Sequence, residues 1–175
     1  MIVWIGKIEN TPIGPLWVAV SERGLAAVEF QDSQERFTHL VKSLGFKQVI
    51  FGPNKIAEAS RQIFEYLNGE RKAFDLQIDW DVMTPFQEKA LRATYAIPYG
   101  QMTTYQEIAR KVGKPKAARA VGRAEATNPM PLVIPCHRVV GTDGKLHGYG
   151  APGGLETKTW LLQLEKRVCQ KDGGL

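Results

Sequence analysis

Cys136 is followed directly by His137 and Arg138 in residues 134–140, where Pro135 and several β-branched residues stiffen the backbone. A cysteine acts as a nucleophile only as its thiolate, and a nearby histidine or arginine lowers the pKa of the thiol. The segment therefore predicts a reactive, nucleophilic cysteine. Taken alone, these residues also fit a buried and inert cysteine, since free cysteines are among the most buried residues in proteins.

Composition limits the classes to which the protein can belong. The 175 residues, 43% of them hydrophobic and 23% charged, suffice for one domain or two small ones. No run of about 18 apolar residues exists, and the amino terminus lacks the pattern of a secretory signal. Cys136 and Cys169 are the only cysteines, too few for a disulfide framework or a four-cysteine zinc site. We therefore expect no metal, no cofactor and no membrane contact, and a cytoplasmic or, in a eukaryote, nuclear protein.

Positive charge is concentrated in the carboxy-terminal half. Residues 1–79 hold nine basic and ten acidic side chains, whereas residues 80–175 hold 14 and eight. Between Arg110 and Arg138 the only acid is Glu125. A basic field confined to one half favours a polyanionic partner, although a solvated charged face is the alternative.

Periodicity predicts two domains, residues 1–79 and 80–175. Three strands are expected over residues 2–8, 16–20 and 25–30, followed by a helix over 33–44, a strand over 46–51 and a helix over 54–68. These elements predict a small β-sheet with helices.

The second half predicts helices separated by capping signals. Thr84 and Pro85 begin a helix that ends near residue 96, and Thr104 begins another that ends at Gly113. A third helix over residues 116–126 follows after a very short turn, which indicates a helix-turn-helix. Residues 141–154 form a glycine-rich loop, and residues 155–168 form a final helix.

Most residues of the third helix have small side chains. Its small residues include Ala118, Ala120 and Gly122, and its basic residues are Lys116, Arg119 and Arg123. A bare, basic helix can approach a DNA groove closely, whereas a helix that reads bases in the major groove carries projecting polar side chains. Packing of this face against another helix is the alternative.

The motifs of the second half resemble those of the O6-alkylguanine-DNA alkyltransferases, also called methylated-DNA–protein-cysteine methyltransferases. The resemblance covers residues 84–175 in order and extends more loosely to residues 11–30. In sequence order, the motifs are Tyr105, Arg119-Ala120-Val121-Gly122, Asn128-Pro129, Pro135-Cys136-His137-Arg138-Val139, Gly148-Tyr149-Gly150, Gly153-Gly154-Leu155, Lys158, Leu161-Leu162 and Glu165. The family implies a mixed α/β (α+β) fold, with a ribonuclease H-like amino-terminal domain and a helical, winged-helix-like carboxy-terminal domain that contains the helix-turn-helix.

The resemblance also implies a suicide repair reaction. The thiolate of Cys136 would attack the alkyl carbon on guanine O6, and His137 would take the thiol proton through a water while Glu165 orients the histidine. Tyr105 would donate a hydrogen bond to the guanine ring nitrogen. Asn128 would tie the helix-turn-helix to the cysteine segment.

The expected partner is double-stranded DNA that contains O6-alkylguanine, bound by a monomer. Arg119 would fill the stack that a flipped nucleotide leaves, in the minor groove. The other implied DNA-binding residues are Lys116, Ala118, Ala120, Gly122 and Arg123. The implied pocket residues are Pro131, Val139, Tyr149 and Lys158. The family also offers O4-alkylthymine as a second candidate substrate, and the sequence leaves activity on it open.

The sequence differs from the family pattern in two respects, and two other functions are alternatives to alkyl transfer. No cysteine precedes Cys136, so the amino-terminal zinc of some relatives is not expected, and a slightly longer loop over residues 150–154 leaves the pocket width open. A module that binds damaged DNA without transfer would keep the fold and dispense with the thiol. A cysteine hydrolase would need a separate catalytic histidine, for which His39 and His147 offer no supporting context.

Overall fold

The structure, a computed structural model, describes residues 1–30, 33–147 and 153–173. The chain divides into two compact units, Met1–Met83 and Thr84–Leu175. The first unit contains a β-sheet and two helices, and the second is mainly helical. The predicted mixed α/β (α+β) fold is therefore confirmed.

The amino-terminal unit is built on one four-stranded sheet. Its strands are β1 (Ile2–Ile8), β2 (Leu16–Ser21), β3 (Gly24–Glu29) and β4 (Gln48–Phe51). The order is β3-β2-β1-β4, with antiparallel pairing among the first three strands and β4 parallel to β1. A connection over residues 9–15, with a turn between Thr11 and Gly14, joins β1 to β2, and a tight turn at residues 22–23 joins β2 to β3, as the turn residues of the sequence predict.

Two helices accompany this sheet, α1 (Gln34–Ser43) and α2 (Ala57–Leu67). The side chain of Ser33 accepts a hydrogen bond from the N–H of Arg36, which caps the first turn of α1. Alternate strand residues and the apolar stripe of α1 then share one core, whose members are Val3, Ile5, Trp17, Ala19, Ala26, Ala27, Phe37, Val41 and Phe46.

The segment before the second unit is fixed to β3. Leu25 donates its N–H to Gln77 O (2.8 Å), and Asp79 donates its N–H to Leu25 O (2.9 Å). The buried carboxylate of Asp79 accepts from the hydroxyl of Ser21 (2.5 Å) and from Nε of Arg23 (3.0 Å). Within the described residues, this segment adds one isolated bridge to the sheet, between Leu25 and Ile78.

In its described residues, the second unit contains four α-helices and two very short strands. They are α3 (Pro85–Tyr95), β5 (Thr103–Thr104), α4 (Tyr105–Lys111), α5 (Ala118–Ala126), β6 (Val139–Val140) and α6 (Leu155–Gly173), with a short 3-10 helix at Cys136–Arg138 before β6. β5 and β6 pair in parallel. Buried residues of α3, α4, α5 and β6 form its core: Ala90, Ile97, Ile108, Ala109, Val121, Ala124 and Val139.

The helix-turn-helix is formed by α4 and α5. Thr104 caps α4 by accepting from the N–H of Glu107 (3.1 Å), as predicted. Gly113 follows α4 with a φ of +76°, a conformation that suits glycine at the end of a helix. The turn then leads to Ala118, two residues later than the predicted start of this helix.

Two local predictions are wrong. Thr84 makes no side-chain cap for α3, and the side-chain amide of Gln87 donates to the carbonyl and hydroxyl oxygens of Thr127 (3.0 Å each). The last helix, α6, continues to Gly173 and not to residue 168. In the described part of the chain, no helix combines the length and apolar character that crossing a membrane requires.

Candidate active site

Cys136 begins the short 3-10 helix, and its N–H donates to Ile134 O (2.8 Å). The residue is only 6% exposed. Burial and then the carboxylate of Glu125 raise the pKa of the Cys136 thiol to about 12, against the lowering effects of an Asn128 hydrogen bond and of the Lys158 ammonium. The predicted lowering of this pKa by the two basic neighbours is therefore wrong, and a base must remove the proton before Cys136 can react.

Asn128 holds the cysteine segment against the end of α5. Its side-chain amide donates to Ile134 O (2.9 Å), and its side-chain oxygen accepts from the N–H of Met130 (2.9 Å). These two bonds close the turn between α5 and Cys136. The side chain of Asn128 thus binds the cysteine segment, while its backbone N–H donates to Glu125 O at the end of α5 (3.2 Å).

Glu165 of α6 is the centre of a buried polar cluster behind Cys136. Nε2 of His137 lies 2.8 Å from Oε1 of Glu165. The guanidinium of Arg138 donates to both carboxylate oxygens (2.8–3.1 Å) and to Ile97 O (2.6 Å), and the N–H of Gly100 donates to Oε2 (3.1 Å). Arg138 therefore binds Glu165 and not the cysteine.

Electrostatics fix the protonation states within this cluster. Burial raises the pKa of Glu165, but the hydrogen bond from His137 and the guanidinium of Arg138 outweigh it and bring the pKa to about 2. Burial lowers the pKa of His137, although Glu165 opposes that effect. An ionised carboxylate only accepts hydrogen bonds, so a neutral His137 donates through Nε2 and Nδ1 is its basic nitrogen.

Lys158 and Tyr105 complete the polar surroundings of Cys136. The ammonium of Lys158 is buried and donates to Val139 O (2.8 Å) and His147 O (3.3 Å). It also lies 6.0 Å from the ring centroid of Tyr105. Burial raises the pKa of Tyr105, and so do the charges of Glu125 and Cys136. Tyr105 therefore keeps its proton and can act as a hydrogen-bond donor.

A cleft of about 520 Å³ opens between α4, α5 and the loop after β6. Its lining includes Tyr105, Arg119, Gly122, Gly141, Asp143 and His147. A Cβ at Gly122 would lie 3.9 Å from the Tyr105 ring, so the glycine leaves room beside the tyrosine. This volume lies in the range of about 300–1,000 Å³ that small-molecule sites occupy.

The outer face of α5 is bare and basic. Arg119, Ala120 and Arg123 are exposed, Ala118 and Gly122 are partly exposed, and Lys116 is exposed just before the helix. Val121 and Ala124 instead face the core. The alternative in which this small-residue face packs against another helix is therefore wrong. Arg119 also lines a second cleft, of about 550 Å³, formed with the beginning of α3.

Two predicted pocket residues lie outside the lining of this cleft. Val139 is fully buried in the core, and Pro131 is also buried, so neither lines the cleft between α4 and α5. Their role in a substrate pocket beside Cys136 stays a prediction. Tyr149 lies outside the described residues.

No role for Glu125 was predicted from the sequence, and the side-chain contacts of Arg138 were not predicted either. Glu125 is only 6% exposed and forms a hydrogen bond with Thr94 of α3. The available signal was its position, four residues after buried Val121 on the apolar side of α5. An acid in that register has to be buried, and a buried acid needs an explanation.

Comparisons with known proteins agree with this arrangement. The family model described as "6-O-methylguanine DNA methyltransferase, DNA binding domain" matches residues 85–167, and the model for its "ribonuclease-like domain" matches residues 6–80. The methylated-DNA–protein-cysteine methyltransferase of Methanosarcina barkeri is 41% identical over 159 residues, which cover 91% of this chain and 95% of that protein. The constitutive enzyme of Bacillus subtilis is 40% identical, covering 93% and 95%.

Solved structures show the same similarity. The O6-methylguanine methyltransferase of Mycobacterium tuberculosis is 38% identical, with a TM-score of 0.78 and coverage of 95% of this chain and 94% of that one. The same organism's protein in complex with DNA also has a TM-score of 0.78, at 36% identity and with 96% and 94% of the two chains covered. On the strength of both domain matches and these relatives, the chain belongs to the 6-O-methylguanine DNA methyltransferase family.

Proposed function

We propose that this protein repairs duplex DNA by moving the alkyl group of O6-alkylguanine to Cys136 in a single displacement. The sulfur forms a bond to the alkyl carbon while the bond from that carbon to O6 breaks, and guanine departs with the electron pair and gains a proton. The product is a thioether on the protein. Because a thioether is a very poor leaving group, each molecule acts once.

The contact between His137 and Glu165 is the observation that carries this proposal. A buried thiol with a raised pKa needs a nearby base, and Cys136 is joined in sequence to a histidine whose tautomer Glu165 fixes. Nδ1 of His137 is then the basic nitrogen, and it takes the thiol proton through a water molecule. Glu165 stabilises the imidazolium that forms.

Tyr105 and Lys158 support the leaving group and the nucleophile. Tyr105 lines the cleft and retains its proton, so it donates a hydrogen bond to a ring nitrogen of the departing guanine. The Lys158 ammonium lowers the pKa of Cys136 and so favours the thiolate. Both effects act where negative charge develops during the displacement.

The damaged base has to leave the duplex to reach Cys136, since its O6 alkyl carbon is otherwise enclosed in the base stack. The exposed face of α5 supports binding in the minor groove, where small residues allow close approach and Arg119 takes the vacated place in the stack. Lys116 and Arg123 flank this position and contact phosphates. The amino-terminal unit, residues 1–79 in the sequence-based division, acts as a scaffold for a monomeric protein.

O4-alkylthymine extends the same chemistry to a second substrate. Its alkyl carbon is also bonded to an exocyclic oxygen beside a ring nitrogen, so the same displacement and the same tyrosine hydrogen bond apply. A smaller pyrimidine fills less of the cleft, and we expect slower transfer than from O6-methylguanine.

The test is intact-protein mass spectrometry after mixing with a duplex that contains a single O6-methylguanine. We expect a gain of one methyl mass that saturates at one per protein and that is absent with the unmodified duplex. A Cys169→Ser variant should gain the same mass, because Cys169 is an exposed thiol outside the cluster. Binding without a mass gain would indicate a damage-recognition module, and repeated turnover would indicate a hydrolase or another catalytic reaction.

Replacing Arg119 by alanine should slow methyl transfer from duplex DNA by about 10- to 100-fold and reduce the dependence of binding on salt. Transfer from a single strand should change much less, since no stack has to be filled there. Single-turnover rates on the two substrates measure the difference. Arg92→Ala, which removes an exposed arginine from α3, is the matched control. Equal slowing on both substrates would contradict a role for Arg119 in nucleotide flipping.

A further inference from the structure

Glu125 is a buried acid that the mechanism above leaves unused. It lies on the inner side of α5 beside Val121 and Ala124, and only 6% of its surface is exposed. Thr94 of α3 binds Oε1 of Glu125, while Oε2 has no hydrogen-bond partner within residues 1–30, 33–147 and 153–173. A buried carboxylate oxygen without a partner is strongly unfavourable when it is charged.

The hydroxyl of Thr94 indicates which protonation state the structure favours. Thr94 Oγ1 contacts both Oε1 of Glu125 and the carbonyl oxygen of Ala90 (3.1 Å). A hydroxyl has one proton and cannot donate to both oxygens. If Glu125 is protonated on Oε1, it donates to Thr94, and Thr94 donates to Ala90. Both contacts are then hydrogen bonds only when the carboxyl is neutral.

The same carboxyl acts on the nucleophile. A negative charge on Glu125 raises the pKa of Cys136 and of Tyr105, and it also raises the pKa of Lys158. These three groups come from the 3-10 helix, from α4 and from α6, while α3 presents the uncharged Thr94. The charge on Glu125 therefore acts on the nucleophile, on the proposed proton donor and on the ammonium of Lys158.

We propose that Glu125 is a positioning residue that controls the charge beside Cys136: it carries a proton while the alkyl group is transferred, and its ionisation suppresses the thiolate. This inference rests on the proposed function, because it assigns a further residue to the same reaction. Two negative charges in one buried site oppose each other, so an ionised Glu125 makes the thiolate harder to form.

The direction of the pH dependence follows from burial. Burial raises the pKa of Glu125 to about 7, and the Thr94 hydrogen bond and the Lys158 ammonium reduce that rise. Below this pH the carboxyl is neutral and the thiolate meets no opposing charge. Above this pH Glu125 ionises, and its negative charge opposes formation of the Cys136 thiolate.

The experiment compares single-turnover methyl transfer by the wild-type protein and by Glu125→Gln from about pH 5.5 to about pH 9, at saturating O6-methylguanine duplex. Glutamine has nearly the same shape and remains neutral. We expect equal rates within about twofold at the acidic end and a variant about tenfold faster at the basic end, the effect of one unit of Cys136 pKa on the thiolate fraction. The rate ratio should rise through a midpoint near the pKa of Glu125, about 7.

Glu88→Gln is the matched control, since it removes a carboxylate from the surface of neighbouring α3 and should leave the rate ratio to wild type independent of pH. A constant ratio for Glu125→Gln would overturn the inference, and so would a variant that is slower by the same factor at every pH, which is the signature of a purely structural role. Absence of transfer by the wild-type protein at every pH would instead overturn the proposed function.

A second measurement does not need the variant to fold or the DNA to react. Carbon-13 NMR of the glutamate carboxyl carbons reports the ionisation of Glu125 in the free wild-type protein. A titration midpoint near 7 supports the inference. A midpoint below about 5, in the range of ordinary glutamates, would show that the carboxyl is charged at neutral pH and would overturn it.

Discussion

Replacing Cys136 by serine should reduce methyl transfer from O6-methylguanine by at least about a thousandfold, because a serine hydroxyl is a far weaker nucleophile than a thiolate. Serine fits the space of the buried cysteine, so the fold and the exposed face of α5 should remain intact. Duplex binding should therefore persist while the mass gain disappears. Mass spectrometry and a binding titration on the same samples measure both quantities.

The Cys169→Ser variant is the control for this result, because it changes the only other cysteine of the chain. It should keep full transfer. Residual methylation of Cys136→Ser at a normal rate would assign the nucleophile to another residue. Loss of DNA binding together with loss of transfer would show that the thiol is needed to form the complex and would weaken the separation of binding from chemistry.

Replacing Glu165 by glutamine should lower the free energy of unfolding at neutral pH by about 3 kcal/mol, since it leaves the buried guanidinium of Arg138 without its carboxylate. Transfer should also slow by about 100-fold or more, because neutral glutamine no longer stabilises the imidazolium of His137. Urea unfolding and single-turnover kinetics check the two parts. Glu156→Gln, an exposed change on the same helix, should alter stability by less than about 0.5 kcal/mol.

The Glu165 contribution to stability depends on pH in a defined direction. The pKa of Glu165 is about 2 in the folded protein, whereas a glutamate without these interactions has a pKa of 4.5. A carboxyl group whose pKa is lowered by folding stabilises the fold at pH values above its pKa in the unfolded chain. This stabilisation is lost as the pH falls from about 4.5 towards 2. Wild-type protein should therefore lose stability steeply in this window, and the glutamine variant should lose less. Parallel curves for the two proteins would contradict the assignment.

The pKa of the Cys136 thiol is raised, and not lowered as the sequence predicts, because burial has a larger effect than the two basic neighbours. Local sequence places two basic side chains beside the thiol, and proximity along the chain favours a lowered pKa. In the folded unit, burial dominates instead, and both neighbours contact Glu165, 27 and 28 residues away. The thiol is consequently protonated at rest, and in the proposed mechanism His137 removes its proton.

Much of this protein could be predicted from its sequence because the signals are local. Periodicity and turn residues predicted the strands and helices, Thr104 and Gly113 marked the ends of α4, and the motifs around Cys136 identified the family. Exposure of Arg119 and the small residues of α5 also agrees with the sequence pattern, since no apolar residue on that face requires cover.

Only the tertiary structure decided which distant side chains meet. The contact of Glu125 with Thr94 and the binding of Arg138 to Glu165 each join segments whose spacing along the chain carries no information about their distance in space. Burial is likewise a property of the packed unit, and it sets the pKa values of Cys136 and Glu125. The sequence determined the reactive groups, and packing determined their charge because desolvation acts only once the chain has folded.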